Sequence, residues 1–167
     1  MAPYTQDDSW LEAVQALVPP LAERFRPDFL VTQHGCDTHA WDPLTHLALS
    51  TRAYQVQARL VHALAHEQCQ GRWIALGGGG YDIYGVVPRS WALVWLAMTG
   101  RPAPEELPEA FRLEWQAEAP GPLPELLIDP AEQFPPVPGS EAIVAENRRT
   151  LAAVRRLVLA DPVPPGA

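Results

Sequence analysis

The sequence predicts an α/β protein built around parallel strands. Two short apolar runs, Phe29 to Gln33 and Arg72 to Leu76, carry apolar residues at consecutive positions, the pattern of a strand covered on both faces. Between them lies a stretch with helical periodicity, and strand, helix, strand in that order make a parallel crossover. Both runs end in glycine-bearing loops, and in open parallel sheets functional residues gather at such carboxyl ends.

The elements follow in order. Asp7 or Asp8 with Ser9 can cap a first helix to about Phe25, with Trp10, Val14, Leu17 and Leu21 on one face. Pro19-Pro20 inside it should kink or split it near Val18. Arg26-Pro27-Asp28 is a turn before the first strand, which is expected to be buried. Gly35 to Ser50 is a loop. Ser50 or Thr51 caps a second helix to about Gln70, with Tyr54, Ala58, Val61, Ala65 and Cys69 along its apolar face and Gly71 as its stop. After the second strand, Pro88 opens a third helix in its first turn. That helix runs to Thr99 and is closed by Gly100 and Pro102. Residues 7–98 thus read as an α-β-α-β-α core. Residues 101–140 are acidic and Pro-rich, and should wrap the core with one short helix. A last helix over 141–158 has Ser140 as its cap. Ile143, Leu151, Val154, Leu157 and Val158 are apolar, and Arg148, Arg149, Arg155 and Arg156 complement the macrodipole. Asp161 to Ala167 should fray. All of this is expected to form one domain, 1–167. Two parallel strands alone are not a stable sheet, so further strands must lie in the tail or outside these residues.

Composition narrows the function classes. The net charge is −8, with twelve arginines and no lysine. Without a basic cluster the chain is a poor partner for nucleic acid, where affinity rests on phosphate neutralisation, and for an anionic membrane surface. Two cysteines, Cys36 and Cys69, are too few for a disulfide framework or zinc ribbon, so a reducing, cytoplasmic setting is the expectation. The polar, acidic stretch Met1 to Trp10 lacks the apolar region of a signal peptide. The longest apolar stretch, Trp91 to Met98, is too short to span a bilayer.

The residues with chemistry sit in the two strand-end loops. Four consecutive glycines, Gly77 to Gly80, precede Tyr81. Glycines have a high entropic cost and no packing value, so the backbone must either approach something closely or adopt φ > 0. A phosphate cradle is one reading, although the run lacks the Gly-Lys-Ser/Thr ending of a P-loop. A phenol aimed into a cleft as an oxyanion donor is another. In the first loop, Asp37 can be a metal ligand, a general base or a helix cap, whereas Asp42-Pro43 reads as a turn-forming pair. His34, His39 and His46 lie near Asp37 and could form a metal site with it or serve as hydrogen-bonding loop residues. His62 and His66, four apart on the second helix, read as an exposed face, and the two cysteines as buried small hydrophobes.

Phe29-Leu30-Val31-Thr32-Gln33-His34-Gly35-Cys36-Asp37-Thr38-His39, then Asp42-Pro43-Leu44, then Leu76-Gly77-Gly78-Gly79-Gly80-Tyr81 together resemble the histone-deacetylase superfamily, and within it the bacterial acetoin-utilization (AcuC-type) branch. Pro27-Asp28, Thr45-His46-Leu47, Tyr54 and the Trp91–Gly100 helix have the same look. The resemblance covers residues 3 to 158. It implies the C-terminal portion of the arginase/deacetylase three-layer α/β/α fold, with a parallel sheet, few strands and a mostly helical, Pro-rich tail. It also implies zinc-dependent hydrolysis of acetyl-lysine-type amides or acetylated small amines. Asp37 falls at a zinc-ligand position, Tyr81 at that of the residue polarising the acetamide carbonyl, and Gly78, Gly79, Gly80 and Leu44 along the acyl-lysine tunnel.

The departures matter equally. The family's zinc site takes two further ligands from an N-terminal Asp-x-His segment, and its acid–base chemistry uses adjacent histidines. None of the five histidines here is adjacent to another, and Asp37-Thr38-His39 is the only Asp-x-His. The resemblance therefore places these residues in the C-terminal half of a deacetylase. It implies little or no activity alone and an incomplete zinc site, since one Asp does not hold zinc. The expected partner is an N-terminal deacetylase half, or a second copy meeting an exposed sheet edge. The alternative from another class is a non-catalytic module that docks a partner subunit.

Overall fold

The computed structural model describes residues 1–160; the fraying expected for Asp161 to Ala167 lies outside the described residues. The elements run α1 (Asp7–Phe25), β1 (Leu30–His34), α2 (Thr51–Cys69), β2 (Trp73–Gly77), α3 (Val87–Met98), α4 (Glu109–Trp115), a 3-10 turn (Ala131–Gln133) and α5 (Ser140–Val158). The two strands pair in parallel from Leu30 opposite Trp73 to His34 opposite Gly77. Helix α2 is central, with α1 and α3 against it, and α5 packs on α1.

Local chemistry explains most element ends. Ser50 caps α2, its Oγ accepting from the Arg52 N–H at 3.2 Å, and Gln70 ends it in the left-handed region at φ 53°. Asp7 does not cap α1. Its carboxylate accepts from the Ser50 N–H at 2.8 Å and the Ser50 hydroxyl at 2.5 Å, tying the start of α1 to that of α2. Ser140 is the first residue of α5 rather than its cap; Gly139 precedes it at φ 76°. Pro19 and Pro20 do not split α1, which is continuous to Phe25. Its contacts with α2 and α5 hold the turn that the prolines deprive of two donors.

The core lies between α2, α3 and the returning tail. Leu49, Ala53, Tyr54, Val86 and Leu93 are buried together with Leu107 and Leu127. Those last two residues are brought in by backbone bonds from Leu107 N–H to the Glu125 carbonyl and from Leu127 N–H to the Glu105 carbonyl.

The strands are not buried on both faces. Leu30, Thr32, His34, Trp73 and Ala75 are covered wholly or in part, and the ring of His34 meets that of Trp91 from α3. The opposite row is open: Val31 is 58%, Ile74 48% and Leu76 50% exposed. Among the described residues no third strand pairs with either edge. Consecutive apolar residues reflect a strand built for two covered faces, and these residues cover one. Among the described residues no helix is long and apolar enough to cross a membrane.

Candidate functional site

The register places His34 opposite Gly77, so Gly35-Cys36-Asp37 and Gly78-Gly79-Gly80-Tyr81 leave the sheet side by side. They are joined directly. The Gly79 carbonyl accepts from the Cys36 N–H at 2.6 Å and from the Asp37 N–H at 3.3 Å. This contact explains the glycines. A Cβ on Gly78 would lie 2.7 Å from the Cα and N of Gly35, one on Gly79 2.1 Å from Oδ2 of Asp37, and one on Gly80 2.5 Å from Sγ of Cys36. Among the described residues the glycines with positive φ are Gly71, Gly100 and Gly139, none of them in the run, so close approach, not left-handed backbone, is what the run requires. The phosphate-cradle reading does not fit, because an Asp37 carboxylate against Gly79 would repel an anion.

Asp37 is held from several sides. The Thr45 hydroxyl donates to its carbonyl. The Tyr54 hydroxyl donates to the preceding Cys36 carbonyl at 3.0 Å and lies 2.9 Å from the Thr38 hydroxyl. Burial pushes the Tyr54 phenol far above its ordinary range, so it stays protonated and can donate. Burial also pushes the Cys36 thiol up to about 11. Cys36 and Cys69 are free and buried.

Asp42 does more than form a turn. It is only 7% exposed. Its Oδ1 accepts from the Leu44 N–H at 2.9 Å, the expected Asx turn, and its Oδ2 accepts from the Tyr81 N–H at 2.9 Å. Tyr81 and Leu44 have half or more of their surface exposed.

The histidines do not gather around Asp37. His39 is fully buried, and its Nδ1 accepts from the Trp41 N–H at 3.1 Å. Its proton is therefore on Nε2, which donates to Asp129 at 2.9 Å. Asp129 also accepts from Arg89 at 2.5 Å and from the Thr51 N–H and hydroxyl, each at 2.8 Å. Burial alone would raise its carboxyl. The hydrogen bond from His39 and the charge of Arg89 prevail and hold it far below the usual carboxylate range. His34 pairs with the Thr32 hydroxyl at 2.7 Å, its basicity lowered by burial. His46 meets the ring of Tyr4. His62 and His66 meet edge to face on α2 with ring centroids 4.6 Å apart.

Among the described residues no group of three or more His, Cys, Asp or Glu side chains could hold a metal ion. The independent site of His34, Asp37, His39 and His46 is thus overturned: each histidine is turned to a partner of its own. Asp37 is a single donor, and these residues by themselves do not make a zinc site. Asp129 and Arg89 escaped the sequence reading, since an Asp-Pro and an Arg on a helix carry no local sign of a shared buried network. A cavity of about 270 Å³ between the starts of α1 and α5, lined by Asp7, Arg52 and Phe134 among others, reaches Ala48 and Ser50 at the end of the first loop but takes in none of Asp37, Asp42, Leu44 and Tyr81.

Comparison with known proteins bears on the family and the fold. The histone deacetylase domain family matches residues 1–98. The chain is similar to the acetoin utilization protein AcuC of Bacillus subtilis (strain 168), 44% identical over 149 residues, which covers 89% of this chain and 38% of that protein. It is 37% identical to the AcuC of Staphylococcus xylosus over 150 residues, 89% of this chain and 39% of that protein. An HDAC homolog from Aquifex aeolicus superposes with a TM-score of 0.67 at 24% identity, over 90% of this chain and 40% of the other. An HDAC homolog in complex with SAHA gives 0.68 over the same shares; both likenesses bear on the fold. The chain therefore spans about two fifths of the length of the relatives it matches. With 98 of its 167 residues inside the domain match, this chain belongs to the histone deacetylase family.

Proposed function

We propose that this chain supplies one side of the active site of a zinc-dependent deacetylase acting on acetyl-lysine-type amides. The observation that carries the reading is the junction of the two strand-end loops, with the Gly79 carbonyl bonded to the Cys36 and Asp37 N–H groups. That junction sets the Asp37 carboxylate beside the glycine run ahead of Tyr81. Asp37 is a ligand of a metal whose other ligands come from outside these residues. Tyr81 donates its phenol proton in a hydrogen bond to the acyl oxygen as negative charge develops there. Gly78, Gly79 and Gly80, which leave room beside the Asp37 loop, and Leu44 line the approach of the acyl chain. The general base and the remaining ligands lie in an N-terminal deacetylase segment. The uncovered row of Val31, Ile74 and Leu76 is the face that such a segment covers, because parallel sheets bury both faces.

The test uses the 167-residue chain with and without a separately expressed N-terminal part of the Bacillus subtilis relative, the part that precedes the matched region. The chain alone gives no turnover of an acetyl-lysine peptide above the metal-only background, and the pair does. Asp37→Ala abolishes that turnover, and Tyr81→Phe lowers it by about 10²–10³. Turnover by the chain alone, or none by a pair that binds, refutes the reading. A second reading, a non-catalytic module docking a partner subunit, is favoured by the same open apolar face. A well-behaved monomer by solution scattering, with no affinity for the N-terminal segment, counts against it.

A further inference from the structure

We propose that Asp42 is a positioning residue that sets Tyr81 and Leu44 in place together; this rests on the deacetylase reading of those two residues. One buried carboxylate holds both loops: Oδ1 accepts from the Leu44 N–H and Oδ2 from the Tyr81 N–H, each at 2.9 Å. Both of the residues it holds are half or more exposed, so side-chain packing does little to fix them. Their backbone anchors must do so instead. The Tyr81 amide lies at the end of a glycine run, where the backbone has its greatest freedom. A donor that must meet a developing oxyanion needs a fixed origin, and a displacement of about 1 Å can lower turnover about 10²-fold.

The chemistry requires an acceptor on both sides. A carboxylate offers two oxygens, whereas an amide offers one oxygen and one NH2. Asp42→Asn therefore keeps one of the two bonds and sets a donor against the other N–H. Asp42→Ala removes both. A turn-forming role alone would need only the bond to Leu44, and the bond to Tyr81 spans 39 residues of sequence.

Two measurements test the proposal. The first is amide hydrogen exchange on the 167-residue chain, which requires no activity. Asp42→Ala is expected to speed exchange at Tyr81 and Leu44 by about tenfold, the effect of losing one net hydrogen bond, with α2 and α3 unchanged. Unchanged exchange at Tyr81, or an equal rise throughout α2 and α3, overturns the proposal. The second is a double-mutant cycle on the paired chain and N-terminal segment. Asp42→Ala lowers kcat about 10²-fold but has no further effect in a Tyr81→Phe background, because its influence passes through the phenol. Losses that multiply overturn the proposal. If the pair shows no deacetylase activity in any variant, the functional reading fails, while the exchange measurement still decides whether Asp42 holds the two residues.

Discussion

Replacing Asp129 by Ala is expected to destabilise the protein strongly, although its one hydrogen-bond partner in the strand-end loops is His39, not Asp37 or Tyr81. The carboxylate accepts from Arg89, His39, the Thr51 N–H and the Thr51 hydroxyl, and Arg89 and His39 are fully buried. Arg89 already has its Nη2 without a partner, so losing Asp129 leaves the guanidinium with only backbone carbonyl acceptors, those of Gly85 and Leu126. Removing one member of a buried ion pair costs about 3–5 kcal/mol, a large part of the roughly 5–15 kcal/mol that separates folded from unfolded domains. At about 2–4 °C per kcal/mol for a domain of this size, the midpoint should fall by roughly 10 °C. Circular dichroism on heating or in urea measures this. Replacing both Arg89 and Asp129 with apolar residues should recover much of the loss, since no charge is then stranded. A midpoint for Asp129→Ala close to wild type, or a double variant worse than the single one, would refute the reasoning. The same carboxyl sets an acid limit. Its folded pKa lies far below the unfolded value of about 3.9. Its contribution is therefore complete above about pH 5 and is lost as pH falls from there through the folded value.

Other outcomes follow from the same geometry. Gly78→Ala should be more destabilising than Gly79→Ala in urea titrations, because the first sets a Cβ against the Gly35 backbone and the second against the Asp37 side chain, which can swing away; equal losses would contradict this. Gly79→Ala should nevertheless abolish turnover of the paired protein, since the carboxylate that moves is the proposed ligand. Burial lowers the pKa of His34, so its neutral form is the one folding favours. Stability relative to His34→Gln should be level above about pH 6.5 and fall as the pH drops below it, and a flat difference from pH 7 to 5 would count against this. Val31→Asp with Ile74→Asp, on the open face, should reduce binding of a hydrophobic dye and abolish pairing with the N-terminal segment. Because Val31 and Ile74 are register partners, two opposed carboxylates also weaken the strand pair, so circular dichroism checks that the variant is folded; unaltered pairing of the folded variant would show that the segment docks elsewhere.

Particular residues show how far the sequence is legible. The apolar runs, the Ser50 cap and Pro88 mark elements through short-range rules, and the structure has strands and helices there. Asp37, Tyr81, Leu44 and the glycines stood out because an unusual local pattern resembles a known family. The role of Asp42 was half legible: its bond to Leu44 is local, and its bond to Tyr81 is not. For His39 the sequence leaves a metal site with Asp37 and a hydrogen-bonding role both open; the second holds, and its partner, Asp129, lies ninety residues away, beyond the reach of any local spacing. The prolines of α1 do not split it, because packing against α2 and α5 outweighs the local preference.

By itself the sequence determined the alternation of helices and strands, the glycine-to-tyrosine turn and the family, since these depend on side-chain periodicity and on residue types at fixed short spacings. Only the tertiary structure decided that the glycines exist to admit the Asp37 loop, that Asp42 joins Leu44 to Tyr81, that the histidines are committed elsewhere, and that one apolar sheet face stands open. These facts rest on distances between residues far apart in the chain, and composition and spacing carry no distances.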